Sequence, residues 1–204
     1  MSLETTVKLH IGSGNSALSG WVNLDIADYP GVDAVLDVRQ GIPFTDVEFI
    51  FAEHFIEHLT LEEGLAFMRE CRRILTADGV LRLSTPNLDW VWLTHYRQPE
   101  QLLEQDAIMA CLEINRAFHG WGHRFLYNLH TLSSALNGSG FCEVIARGYG
   151  ESTVAELRGL ERHEHHADIP GAPSVIIVEA SGTKDSSRDF DAVARPYIDD
   201  ASVR

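Results

Sequence analysis

A capping box at Thr60-Leu61-Glu62-Glu63, set between two apolar runs, constrains this chain more than any other stretch. A threonine followed three residues later by glutamate satisfies two orphan backbone donors at a helix start. Leu61, Leu65, Met68, Cys71 and Leu75 then recur at three- and four-residue steps, the spacing of a buried helix face. Asp78-Gly79 is a stop signal, and residues 80–84 read as the next strand, closed by Pro86, which cannot extend a central ladder. With the apolar run 49–52 ahead of the helix this is a β-α-β unit, and a parallel sheet is implied.

The remaining segments fit that sheet. Val7-Lys8-Leu9-His10-Ile11 alternates and runs straight into Gly12-Ser13-Gly14-Asn15, a strand that ends in a glycine turn. Residues 21–26 and 34–38 are further short apolar runs bounded by turn residues. A helical crossover between parallel strands takes about a dozen residues. Residues 15–20 are too few, so the first crossover is expected as a turn. Later in the chain come a helix over 131–136, a glycine stop at Gly138 and Gly140, a strand over 141–146 and a last strand over 175–180.

Residues 87–130 differ in composition, with Trp90, Trp92, Tyr96, Phe118, Trp121, Phe125 and Tyr127 crowded among histidines around a helix expected over 100–116. They read as an inserted cover within a single domain of residues 1–183. Such a cover suits an apolar or sugar-like ligand, and equally plain core or a dimer contact. Residues 184–204 are polar and charged, and a flexible tail is expected there.

Charge narrows the partners. A net charge of -14 without any Lys/Arg block repels a phosphate backbone, so nucleic acid is not an expected partner. No apolar run approaches the roughly 20 residues that span a bilayer, and no membrane contact is expected. Cys71, Cys111 and Cys142 are an odd count without CxxC spacing and read as reduced thiols, with the cytoplasm as the default location. His163-Glu164-His165-His166 lacks further spaced ligands and reads as a solvated loop, so no metal site is assigned.

The chemistry concentrates at strand ends. A glycine turn after the first strand lets backbone amides approach a ligand closely. Asp25 ends the second strand and Asp37 the third, and a carboxylate at such an edge can accept both hydroxyls of a ribose. Gly12-Ser13-Gly14 with these two acids therefore describes a nucleoside pocket; the bland alternative is a pair of solvated loop acids.

Taken in order, these residues resemble class I S-adenosylmethionine (SAM)-dependent methyltransferases, in particular a compact bacterial type-11-like group. The resemblance covers most of the chain. It rests on residues 9–15 with Gly20-Trp21-Val22-Asn23-Leu24-Asp25-Ile26, on Asp37 with Ile42-Pro43-Phe44, and on Glu53-His54-Phe55-Ile56-Glu57-His58-Leu59. Arg72-Arg73-Ile74-Leu75, Ser84-Thr85-Pro86-Asn87, Gly140-Phe141 and Ile177-Val178-Glu179-Ala180 extend it.

The resemblance implies a three-layer Rossmann-like α/β fold with a mostly parallel seven-stranded sheet and an antiparallel last strand. It implies SAM as cofactor, with Gly12, Ser13, Gly14 and Asn15 facing the methionine, Asp25 and Ile26 the ribose, Asp37 and Val38 the adenine, and Ala52, Glu53 and His54 the adenosine side. The acceptor implied is a small molecule or sugar, methylated at oxygen. Transfer from a sulfonium is largely a matter of positioning. A hydroxyl acceptor is helped by a base, for which His54 and His123 are the candidates. His58 reads as structural and Glu57 as a solvated acid. Two other classes share the glycine turn. A nicotinamide oxidoreductase wants GxGxxG and an acid about 20 residues on, whereas Ala17 holds the third position here and Asp25 arrives early. A non-catalytic SAM-binding module fits the same residues. Oligomeric state is not legible.

Overall fold

The computed structural model describes residues 7–96, 103–163, 166–185 and 189–202. Its strands are β1 (Val7–Ile11), β2 (Val22–Asp25), β3 (Ala34–Val35), β4 (Val47–Glu53), β5 (Leu75–Pro86), β6 (Glu143–Arg147) and β7 (Val175–Ser181). They form one sheet in the order β3-β2-β1-β4-β5-β7-β6. The β1, β2, β3, β4 and β5 pairings are parallel, while β7 runs antiparallel to both β5 and β6. This is the expected α/β sheet, antiparallel last strand included. The chain passes from β1 to β2 through a turn with no helix, as its length requires.

Strand side chains alternate between faces, and the two faces are clad differently. Leu9, Ile11, Ile50, Ala52, Leu81, Leu83 and Val178 pack under α1 (Leu61–Ile74), α4 (Leu129–Gly138) and α5 (Asp189–Ser202). The capping box starts α1 as expected, with Thr60 and Glu63 bonded reciprocally. On the other face Phe51, Trp21 and Leu18 are covered by Leu157 and Leu160, from the irregular stretch between β6 and β7. No α-helix among the described residues joins that cluster. The third layer is therefore irregular chain where the short first crossovers leave no helices.

That irregular layer is pinned by charge. Arg82 of β5 is fully buried, its Nε donating to Glu161 Oε1 and its Nη1 to Glu179 Oε1, each at 2.8 Å. Nη1 also donates to the Glu151 carbonyl at 2.9 Å, and Arg147 holds the second oxygen of Glu179 at 2.7 Å. A buried guanidinium is tolerable only with such partners.

Three sequence expectations change. Within the expected flexible tail of 184–204, residues 189–202 form α5, with Ala194 and Ile198 buried in the core and Arg69 bound to Asp191. Its apolar residues are spaced for one helix face, a signal the polar composition obscures. β5 begins directly after α1, and Asp78-Gly79 lies in a register irregularity of that strand instead of ending the helix. β3 is only two exposed residues long. The inserted segment forms α2 (Leu88–His95) and α3 (Glu104–His119), the first part of the expected 100–116 helix lying outside the described residues. Its ends meet, since Asn87 and Tyr127 form a parallel bridge and the Leu88 amide donates to the Tyr127 carbonyl.

Candidate active site

Parallel strands deliver their carboxyl ends to one edge, and the sequence's polar residues gather there. Beyond Ile11 the chain turns through Gly12 and Gly14, with φ of 68° and 49°, the left-handed region that favours glycine. The Gly12 and Ser13 amides donate to the Leu24 carbonyl, and the Gly14 amide donates to Asp25 Oδ2 at 2.9 Å. The other Asp25 oxygen accepts from the Ala27 amide at 2.9 Å. Glycine turn and strand-end acid are thus one bonded unit. A Cβ on Gly14 would meet nothing within 4 Å, whereas one on Gly12 would lie 2.6 Å from the Phe55 ring. Gly12→Ala should therefore destabilise the fold by about 1–3 kcal/mol, read by urea unfolding; an unchanged midpoint would contradict the crowding.

Two further features mark this edge. Ser13 Oγ is buried with no hydrogen-bond partner among the described residues. Ile26, Tyr29 and Val35, at or just past the ends of β2 and β3, are large apolar side chains left exposed. Asn15 is also exposed.

Several of the residues expected at the cofactor also have partners within the protein. Asp37 caps a short 3-10 turn and is clamped by Arg39, whose Nε and Nη2 each donate at 2.8 Å. Those hydrogen bonds hold its carboxyl down at about 2. Val38 and Ala52 point into the helix-side core. Both oxygens of Glu53 accept the Arg162 amide, and one also accepts the amide of His163. Glu53 thereby anchors the irregular layer to the site.

The histidine end holds a constellation that reading along the chain missed. His54, in a left-handed conformation at φ 47°, directs Nδ1 to Glu57 Oε1 at 3.1 Å. Glu57 is fully buried, and its other oxygen accepts from Thr85 Oγ1 at 2.9 Å. Burial works to lower the His54 pKa, but the hydrogen bond and charge of Glu57, with Glu53 behind them, prevail and raise it above the ordinary histidine value. The His163 ring lies 4.6 Å from that of His54. Glu57 is thus no solvated acid. Its place was legible only from the pairing of β4 with β5, which sets Glu53 opposite Ser84 and so brings Thr85 beside the following turn.

The second expected histidine reaches the same carboxylate from the insertion. The Glu57 carbonyl accepts the Arg124 and Phe125 amides, which fixes the irregular segment that carries His123. The ligand atoms of Glu57, His58 and His123 lie within 4.8 Å of one another. His54 and His123 therefore both flank Glu57.

No protein-family model and no curated protein sequence matches the chain. Solved structures do match its fold. A SAM-dependent methyltransferase from Archaeoglobus fulgidus superposes with a TM-score of 0.54 at 14% identity, over 87% of this chain and 86% of its own. A SAM-dependent methyltransferase from Thermotoga maritima, described as a possible histamine N-methyltransferase, gives 0.53 at 12% identity, over 86% and 81%. DhpI, solved in complex with SAH, gives 0.51 at 12% identity, over 87% and 77%. The chain has the α/β fold of class I SAM-dependent methyltransferases.

Proposed function

We propose that this protein is a SAM-dependent methyltransferase acting on a small-molecule or sugar acceptor, at oxygen. The observation that carries this reading is the bonded unit of Gly14 and Asp25 at the carboxyl edge of a sheet with the methyltransferase fold. The residues present suit the cofactor. Among the described residues each Asp25 oxygen accepts one hydrogen bond and so has a lone pair for ribose hydroxyls, Ser13 Oγ is buried and unpartnered, and Ile26, Tyr29 and Val35 offer an apolar bed for a flat base. Gly12 to Asn15 would line the methionine end.

SAM, when bound, supplies an electrophilic methyl group on a sulfonium. The protein's own contribution is to place the acceptor and take its proton. A carboxylate can only accept, so the proton shared with Glu57 sits on Nδ1 of neutral His54 and Nε2 carries the lone pair. Glu57, itself fixed by Thr85, sets the orientation of that base. His123, from the insertion, stands on the acceptor side.

Calorimetric titration with SAM, SAH and NAD tests the reading: SAM and SAH bind and NAD does not. Binding of NAD alone would make the protein a nicotinamide enzyme. Asp25→Asn should weaken SAH about 10- to 100-fold, the loss of hydrogen bonds to a charged group, and an unchanged affinity would remove Asp25 from the pocket. A second reading is a SAM-binding module without turnover, which the same glycine turn and strand-end acid would serve. That reading is distinguished by tight SAM binding with no label transferred to any pool of sugars or metabolites.

A further inference from the structure

We infer that Glu57, His58 and His123 bind one divalent first-row transition metal. Glu57 is a fully buried carboxylate that no Lys or Arg side chain contacts among the described residues; its one ionic partner is His54, on one oxygen. A buried carboxylate without a cation is costly, and besides the hydroxyls of Thr85 and Tyr127 the groups around it are imidazoles. Two imidazoles and one carboxylate are the donor set of open zinc sites and of non-haem iron centres, with positions left for water or another oxygen. The three ligand atoms, within 4.8 Å of one another, need to close by at most about 1.4 Å to reach the spacing of tetrahedral ligands at roughly 2.1 Å from an ion.

The surroundings are those of a ligand set. His123 Nδ1 lies 2.8 Å from the Ala117 carbonyl, which can only accept. Nδ1 therefore carries the hydrogen and Nε2 the lone pair, the arrangement that orients metal-binding histidines. Glu57 is held from behind by Thr85 and His54. His58 makes no side-chain hydrogen bond among the described residues, so its ring nitrogens are uncommitted, and its ring lies 5.3 Å from that of His123. His123 also lines a cavity of about 410 Å³ with Thr60, His119, Arg124 and Tyr197. The sequence carries no spaced motif for this site because His123 arrives from the insertion.

The site shares Glu57 and His123 with the methyl-transfer reading, but metal uptake is measured without methyl transfer, so its test is separate. EDTA-stripped protein is titrated with Zn²⁺ by calorimetry and with Co²⁺ by visible absorption. One equivalent should bind, and Zn²⁺ should raise the melting temperature. His58→Ala and His123→Ala should each weaken Zn²⁺ more than about 100-fold, beyond the loss typical of an outer-shell partner. Their melting temperatures should no longer respond to Zn²⁺; Gln replaces Ala at either position if that variant fails to fold. His163→Ala with His166→Ala should leave binding intact. Absence of uptake, uptake unchanged in the His58 and His123 variants, or uptake lost in the His163/His166 variant each overturns the site. SAM titration of the stripped protein reports on the cofactor reading alone.

Discussion

Arg82→Ala should cost about 3–5 kcal/mol of unfolding free energy, the penalty for removing one partner of a buried ion pair. The arginine is fully buried and is the cation for Glu161, whose side chain is equally buried. Glu179 would keep Arg147, but Glu161 would face the sheet uncompensated. The lost donation to the Glu151 carbonyl would also loosen the stretch that covers Phe51 and Trp21. Urea unfolding measures the loss, and a change below about 1 kcal/mol would mean that water reaches the network. A companion variant separates charge from packing. Arg82→Met with Glu161→Leu, which leaves Glu179 to Arg147, should recover most of the loss, since well-packed apolar replacements of buried ion networks are often neutral or stabilising.

The largest expected effect on activity falls on His54. His54→Ala should lower single-turnover methyl transfer about 100-fold or more, the contribution of a positioned general base. SAH affinity should stay within roughly threefold, because an interaction made only in the transition state leaves ground-state binding alone. Transfer of labelled methyl from SAM to an accepted sugar or metabolite, beside calorimetry with SAH, gives both quantities. Undiminished transfer would strip His54 of its role as base. Equal loss in transfer and in SAH affinity would make it a packing residue against the cofactor.

Local rules carried the sheet but not the site. The Thr60 capping box, the strand running into Gly12 and the acid ending β2 are each written in contiguous residues, and the structure builds each as read. The short reach from Asn15 to Gly20 even forecast the missing first helix. What eluded the reading depends on neighbours distant in the chain. Arg82 occupies a polar place in an alternating strand, the usual mark of a solvated face, and becomes buried only because residues near 161 fold over it. Glu57 follows the same logic, since nothing local announces that Thr85 and the insertion will enclose it. Asp37 ends its run of apolar residues as Asp25 does, and its ion pair with Arg39 two positions on was not read from the sequence. The helix near the C-terminus was hidden by composition, because its few apolar side chains matter through their spacing.

Asn87 and Tyr127 stand side by side, so the excursion between them begins and ends at a single point on the scaffold. The backbone ladder keeps no record of how long that excursion is, since closing a longer loop over the same gap costs little. A foreign excursion could be grafted across this junction without re-registering a strand. Whatever recognition the segment confers is thus a replaceable module, and the His123 donor would leave with it.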